Sequence, residues 1–116
     1  MTLGKLSTKC GTIVVNPCLR TSNAWDRMRG LLFRDAPKPG TGLLIDPCSS
    51  VHTFAMSYPI DVVYLNRNYQ IVKTISKLSP WRVSACKAAA MTLELAAGQA
   101  KTLDLLPTLE LQWQGA

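Results

Sequence analysis

Residues 60–78 read IDVVYLNRNYQIVKTISKL, and they predict a β-hairpin. The segments 60–65 and 69–78 are rich in β-branched and aromatic residues, which favour strands. Between them, Asn66-Arg67-Asn68 supplies the short polar connection that is typical of a tight turn. We therefore expect two antiparallel strands here, within a mostly β chain.

Short apolar or alternating runs occur on both sides of this hairpin. Further strands are predicted at residues 12–15, 43–45, 51–56, 91–95 and 108–113. The first of these is expected to end at Asn16-Pro17. Capping residues predict a helix near 22–33, and residues 98–105 are expected to form one or two helical turns. The pattern predicts a small, mostly antiparallel β-sandwich or barrel with one or two short helices packed on it.

The chain has 116 residues, of which 47% are hydrophobic and 17% are charged. This length and composition predict a single folded domain over residues 1–116, and they argue against a disordered or multidomain protein. No apolar run approaches the ~20 residues that a membrane-spanning helix needs, so no membrane span is expected. The first residues lack the apolar stretch of a secretory signal. We expect a monomer in the cytoplasm.

Basic residues outnumber acidic residues, and they are unevenly distributed. The net charge is +6, and residues 67–87 contain five basic residues and no acidic residue. A basic surface of this kind can bind nucleic acid. However, the sequence has no aromatic-rich RNA motif, no run of Lys and Arg, and no helix-turn-helix pattern. Nucleic acid is therefore not the expected partner.

Four cysteines occur at positions 10, 18, 48 and 86. The segment between Cys10 and Cys18 has strand character, which would separate their Cα atoms by ~26 Å and prevent a disulfide. No Cys-x-x-Cys is present, so neither a zinc ribbon nor a thioredoxin-like site is indicated. We expect reduced, mostly buried thiols.

The densest group of polar residues in an apolar setting surrounds His52, which is the only histidine. On a strand, Cys48, His52 and Met56 would share one face, although Asp46-Pro47 indicates that Cys48 lies in a turn. Thiol, imidazole and thioether groups suit Cu(I), or Zn²⁺ through Cys and His alone, and Cys86 is a further candidate ligand. The alternative is a packed core histidine beside an ordinary buried thiol. We favour this alternative and predict no metal.

Asp61 stands out because it lies inside the apolar run 60–65. A buried carboxylate needs a charged or hydrogen-bonding partner. We expect Asp61 to accept backbone N–H groups of the Tyr58-Pro59 turn or to pair with an arginine. The alternative is that it shares a polar pocket with His52. In a further interpretation, Cys48, His52 and Asp61 act as nucleophile, base and orienting acid of a Cys-dependent enzyme.

Two other parts of the sequence are expected to face solvent. Trp81 and Arg82 lie in a predicted loop, where an aromatic ring beside a cation suits the rim of a binding surface. Glu94 alternates with Leu93 and Leu95, so we expect its side chain to face solvent.

An ordered set of segments connects the chain to a known family. The segments are RMRGLLFR at 27–34, GLLI at 42–45, HTFAM at 52–56, PIDVV at 59–63 and LELAAG at 93–98. Together they resemble domain of unknown function 192 over roughly residues 21–113, in the branch that carries Cys-x-x-x-His-Thr at 48–53. The resemblance implies a small, mostly β sandwich or barrel with one or two short helices, and it implies no established activity. Family members often have a bulkier residue where this chain has Ala55.

We predict a non-enzymatic module that binds a protein or a small ligand. The predicted site is lined by His52, Met56, Asp61, Trp81 and Arg82. Small β-sandwiches more often bind than catalyse, and no nucleophile elbow, phosphate loop or metalloprotease helix occurs in the sequence. A Cys/His metal-binding protein and a Cys-dependent enzyme are the two alternatives, and no cofactor is predicted.

Overall fold

The computed structural model describes residues 1–23 and 35–116. Residues 24–33 of the predicted helix, and the family segment at 27–34, lie outside the described residues. The described chain forms nine strands and one short helix. They are β1 (Thr2–Thr8), β2 (Ile13–Arg20), β3 (Gly42–Ile45), β4 (Ser50–His52), β5 (Ile60–Leu65), β6 (Ile71–Leu78), β7 (Val83–Ala85), β8 (Met91–Ala96), α1 (Gln99–Thr102) and β9 (Leu111–Gly115).

Seven of these strands form one sheet in the order β6-β5-β8-β3-β2-β1-β9. Neighbouring strands are antiparallel, except that β2 and β3 run parallel. Strands β4 and β7 form a separate two-stranded ribbon. The mostly β architecture with a short helix confirms the predicted fold class.

The two outer strands of the large sheet meet at one point. Gln70 forms an isolated β-bridge with Glu110, and the Ile71 amide donates to the Leu109 carbonyl at 2.8 Å. Strands β6 and β9 share no continuous ladder. The sheet therefore brings its edges together without closing as a barrel, which was one of the two predicted forms.

Apolar side chains are buried on both faces of the large sheet. Every residue of β5 is buried, because this strand lies between β6 and β8 and is covered on both faces. One cluster includes Leu6, Val15, Leu44, Val63, Leu65, Leu93 and Leu95. The second includes Leu43, Ile45, Val51, Met56, Ile60, Val62 and Tyr64. The β4–β7 ribbon packs over the second cluster, where the Tyr64 hydroxyl donates to Ser84 Oγ at 2.9 Å.

The hairpin predicted at residues 60–78 is confirmed, with β5 and β6 antiparallel. Asn66 Oδ1 accepts hydrogen bonds from the backbone N–H groups of Asn68 (2.9 Å) and Gln70 (3.0 Å), which fixes the turn. Tyr69 has a φ of 60°, so β6 begins at Ile71 rather than at residue 69.

The N-terminal strands differ from the prediction. Strand β1 is missed by the sequence pattern, because its extended form depends on pairing with both β2 and β9. Strand β2 was expected to end at Asn16-Pro17, yet it continues to Arg20. The pairing with β1 shifts register between Gly4 and Leu6, opposite this proline. A proline has no N–H to donate, and a bulge is where a strand tolerates that loss.

Residues 51–56 were predicted as one strand, but β4 ends at His52. The chain turns immediately afterwards, since Ala55 has a φ of 61° and the Met56 N–H donates to the Thr53 carbonyl. Strand β9 begins at Leu111 instead of at residue 108. No helix among the described residues is long and apolar enough to cross a membrane.

Candidate functional site

The β4–β7 ribbon presents one face to solvent. Ser50 pairs with Ala85 and His52 pairs with Val83, so these four side chains point outward together. Val51 points the other way and is buried in the second core cluster. Alternation along two short strands therefore separates a core face from an open face.

Beyond the ribbon, the buried Thr53 joins two loops. Its backbone N–H donates to the Arg82 carbonyl (2.8 Å), and its carbonyl accepts the Trp81 N–H (3.0 Å). Its hydroxyl donates to the Ser79 carbonyl (2.6 Å) and accepts the Arg82 N–H (2.9 Å). These bonds extend the antiparallel pairing of β4 and β7 beyond its last pair, His52 and Val83. Phe54 therefore lies opposite Trp81.

The result is a row of exposed rings on the open face. The ring centroids of His52 and Phe54 are 5.1 Å apart, and those of Phe54 and Trp81 are 5.8 Å apart with an interplanar angle of 25°. Phe54 is 43% exposed, Trp81 63% and Val83 68%. We call His52, Phe54, Trp81 and Val83 the aromatic ledge.

Both loops of the aromatic ledge use a left-handed backbone without glycine. Ala55 has a φ of 61° and Trp81 a φ of 63°. Such conformations cost of order 1 kcal/mol for residues with a Cβ, and the surrounding hydrogen bonds must hold them. A β-branched residue at Ala55 would adopt this conformation at greater cost.

Cations surround the ledge and the ribbon. Arg82 is exposed beside Trp81, and its Nη1 donates to the Trp81 carbonyl at 3.4 Å. Lys73 reaches across from β6, where its Nζ donates to the Ala85 carbonyl at 3.5 Å. Lys87 is exposed just after β7. The open face of the ribbon is therefore apolar at its centre and basic at its borders.

Asp61 lies in the interior, away from this surface. It is fully buried, and its carboxylate accepts the backbone N–H groups of Lys77 (2.8 Å), Gly98 (3.0 Å) and Ala100 (2.8 Å). Two of these donors belong to the start of α1, so Asp61 attaches this helix to the β5–β6 hairpin. His52 has a different partner, since its Nδ1 accepts the Phe54 N–H at 3.4 Å. The structure does not bring the imidazole and this carboxylate together in a pocket.

Met56 and Cys48 also leave the expected face. A continuous strand would have placed both beside His52, but β4 spans only Ser50–His52. Cys48 lies before this strand, as Asp46-Pro47 indicated. Met56 is buried in the second core cluster, and Cys48 packs against the same cluster. The Cys48 thiol donates to the Ser50 carbonyl at 3.0 Å. The turns on either side of β4 therefore redirect both sulfur atoms.

The thiols are less buried than expected. All four cysteines are free, and only Cys18 is buried, where burial raises the pKa of its thiol to about 12. Cys10 is exposed, and hydrogen bonds from Thr8 and Thr12 lower its pKa. Within residues 1–23 and 35–116, no three His, Cys, Asp or Glu side chains group closely enough to hold a metal ion.

Glu94 corrects the expectation of a solvent-facing side chain. It is buried on the central strand β8, between Leu43 of β3 and Val62 of β5. Its Oε2 atom has no hydrogen-bond partner in the described part of the chain, and burial raises the pKa of this carboxyl to about 7. Alternation placed Glu94 correctly opposite Leu93, but both faces of this strand are covered.

The family model DUF192, described as an uncharacterized ACR, matches residues 17–113. The chain belongs to the DUF192 family. No curated protein matches it significantly.

Two solved structures share the DUF192 chain's fold. A protein from Sinorhizobium meliloti 1021, provisionally described as a transcription regulator, aligns with a TM-score of 0.82 and 21% identity over 97% of this chain and 92% of its own. A protein of unknown function from Novosphingobium aromaticivorans DSM 12444 aligns with a TM-score of 0.75 and 16% identity over 96% of this chain and 84% of its own. At these identities the likeness shows the fold alone.

The aromatic ledge of this DUF192 protein includes residues that were not in the predicted site. Of the predicted site residues, His52 and Trp81 lie on the ledge and Arg82 lies beside it, whereas Phe54 and Val83 were not among the predicted site residues. The only sequence signal for the added pair is alternation in two short segments, 50–54 and 81–85. Nothing in the sequence states that these two segments pair.

Proposed function

We propose that this DUF192 protein is a non-enzymatic protein-binding module and that the aromatic ledge is its binding surface. The observation that carries the proposal is the exposed row of His52, Phe54 and Trp81 rings, in which Phe54 and Trp81 are stacked. Large apolar side chains that remain in water together forgo the ~25 cal/mol per Å² that burial would give. Such clusters mark interaction sites more often than isolated exposed residues do.

The rigidity of the ledge supports binding. Thr53 holds both loops through backbone and hydroxyl hydrogen bonds, so the rings are placed before any partner arrives. Preorganised surfaces lose less conformational entropy on association. Tryptophan and arginine are also the residues most enriched among those that dominate binding energy, and Trp81 and Arg82 are adjacent here.

The charges around the ledge favour an acidic partner. Arg82, Lys73 and Lys87 border the open face, and residues 67–87 contain no acidic residue. Complementary charge speeds association and selects between partners. The partner that fits is a protein segment with an apolar side chain for the rings and acidic side chains beside it.

The alternative functions find less support in the same geometry. A Cys-dependent enzyme needs its thiol beside its base. Cys48 instead bonds to the Ser50 carbonyl, while His52 faces outward on the ledge. Asp61 would have to orient the imidazole, but three backbone amides occupy its carboxylate. This arrangement favours binding over nucleophilic catalysis.

Selection of a randomised peptide display library against the full chain tests the proposal. We expect enriched peptides to combine Asp or Glu with Leu, Phe or Trp. Trp81→Ala should weaken their binding about 30-fold in fluorescence polarisation, because a central aromatic contact contributes ~2 kcal/mol. Leu106→Ala is the matched control, since Leu106 is 62% exposed and lies outside the ledge. Urea unfolding of each variant checks that both remain folded.

Two results would contradict the proposal. One is a set of enriched peptides whose affinities are the same for the wild type and for Trp81→Ala. The other is binding of a 12-nucleotide single-stranded DNA with a Kd below about 1 μM at physiological salt (roughly 0.15 M), provided that this binding depends on Trp81. Exposed rings can also stack on bases, so this outcome must be tested. The provisional description of the Sinorhizobium protein makes this second comparison necessary.

A further inference from the structure

A cleft of about 630 Å³ lies at the opposite end of the ribbon from the aromatic ledge. Three loops line it, namely residues 46–49, 66–68 and 88–90. The ribbon separates the two places, since Cys48 and Ser49 precede β4 whereas Phe54 follows it. A volume of this size is within the ~300–1,000 Å³ that small-molecule sites occupy.

Two arginines line a smaller recess of about 90 Å³ that shares part of this lining. The recess contains Arg20, Asp46, Arg67, Tyr69 and Ala90, and three of these also line the larger cleft. Arg67 is exposed and makes no hydrogen bond or ion pair with another described residue. Its guanidinium group is therefore available to a ligand.

Arg20 is held firmly in the wall of the recess. Its guanidinium carbon lies 5.7 Å from the centroid of the Tyr69 ring and 5.3 Å from that of the Trp113 ring. It donates to the Tyr69 hydroxyl at 2.7 Å and forms a salt bridge with Asp46. The charges of Arg20, Asp46 and Arg67 add to a net +1 in the recess. That balance favours a ligand with one anionic group.

Hydrogen bonds join the loops that frame the cleft. Ala90 connects two of its sides, because its carbonyl accepts the Cys48 N–H (2.9 Å) and its N–H donates to the Leu65 carbonyl (2.8 Å). The Thr92 hydroxyl donates to the Cys48 carbonyl at 3.0 Å. Asn66 fixes the remaining loop through the turn described above. A site whose loops are already tied together needs little reorganisation to bind.

We propose that this cleft binds a small organic anion, with its carboxylate or phosphate group in the recess between Arg20 and Arg67 and its body in the larger cleft. The planar guanidinium group can form two parallel hydrogen bonds with the oxygen atoms of either kind of anion. The body would lie along Ala88 and Ala89, and the Ser49 hydroxyl and the Asn68 amide offer neutral hydrogen bonds. This site is independent of the aromatic ledge.

Titration of the full chain, followed by amide chemical shifts, tests the site with three probes. These are phenyl phosphate, phenylacetate and the neutral phenethyl alcohol. We expect at least one of the two anions to give saturable shifts at residues 46–49, 66–68 and 88–90, and whichever binds identifies the preferred head group. Arg67→Ala should weaken that binding at least tenfold. Arg82→Ala should leave it unchanged, because Arg82 is an exposed arginine at the ledge.

The proposal is overturned by any of three results. The first is that the anions produce only linear, unsaturated chemical-shift changes spread over the basic surface. The second is that the Arg67→Ala variant binds the anion as tightly as the wild type does. The third is that phenethyl alcohol binds as well as both anions. Titration with inorganic phosphate distinguishes the contribution of the head group to the affinity from that of the body. The binding of inorganic phosphate should be at least tenfold weaker than that of phenyl phosphate if the larger cleft holds the body, and equal binding contradicts that part of the proposal.

Discussion

Replacing Asp61 with alanine should lower the free energy of unfolding by on the order of 4 kcal/mol. Three backbone N–H groups, from Lys77, Gly98 and Ala100, would lose their acceptor in a fully buried place. Each unsatisfied buried donor costs ~1–3 kcal/mol, and a cavity forms in addition. Urea-induced unfolding followed by circular dichroism measures the loss.

The Asp61→Asn variant separates the loss of hydrogen-bond acceptors from the formation of a cavity. An asparagine keeps one acceptor oxygen and the shape of the side chain, but its amide group meets an N–H where an oxygen is needed. We expect a loss of about 2 kcal/mol, between wild type and alanine. Asp104→Asn is the control for the chemistry of the replacement, because Asp104 is exposed. An Asp61→Ala variant as stable as the wild type would contradict the structural role assigned to this carboxylate.

The stability of the wild type should decline by about 3 kcal/mol between pH 4.5 and pH 8 because of Glu94. Burial raises the pKa of this carboxyl from 4.5 to about 7, so the folded chain holds the proton more tightly than the unfolded chain. The folded state is therefore favoured most below pH 4.5. That advantage is lost as the pH rises through about 7, and the curve is level above it.

Glu94→Gln should remove this decline, since glutamine does not ionise. At pH 8 the variant should be more stable than the wild type, whereas at pH 4.5 the two should be similar. Unfolding in urea at several pH values measures both. Glu110→Gln serves as the control, because Glu110 is exposed and near Lys9, and it should keep the decline. A Glu94→Gln variant with the wild-type pH profile would show that this carboxyl does not carry the effect.

The parts of the fold that depend on local pattern were predictable from the sequence. The hairpin at 60–78 follows from β-branched runs around Asn66-Arg67-Asn68, and it forms as expected. An acid within an apolar strand predicts a carboxylate that accepts backbone N–H groups, and Asp61 does so, but the expected donors in the Tyr58-Pro59 turn were wrong. The donors come from Lys77 and from the start of α1, which no local pattern identifies.

Features that depend on distant pairing were not predictable in the same way. Glu94 alternates with Leu93 and Leu95 as an exposed residue would, and only the covering of both sheet faces shows that it is buried. The aromatic ledge needs residues 52–54 beside residues 81–83, and nothing local to either segment reveals that pairing. The larger cleft likewise joins three loops that are far apart in the sequence.

The two strands that pair with β1 are synthesised at very different times. Strand β1 pairs with β2, which follows at once, and with β9, whose residues 111–115 are translated much later than β1. During translation, one edge of β1 must therefore wait with free N–H and C=O groups until β9 has left the ribosome. For that interval an unpaired edge is open to strands of neighbouring nascent chains. Crowded polysomes are the setting in which this arrangement makes the protein most vulnerable to misassembly.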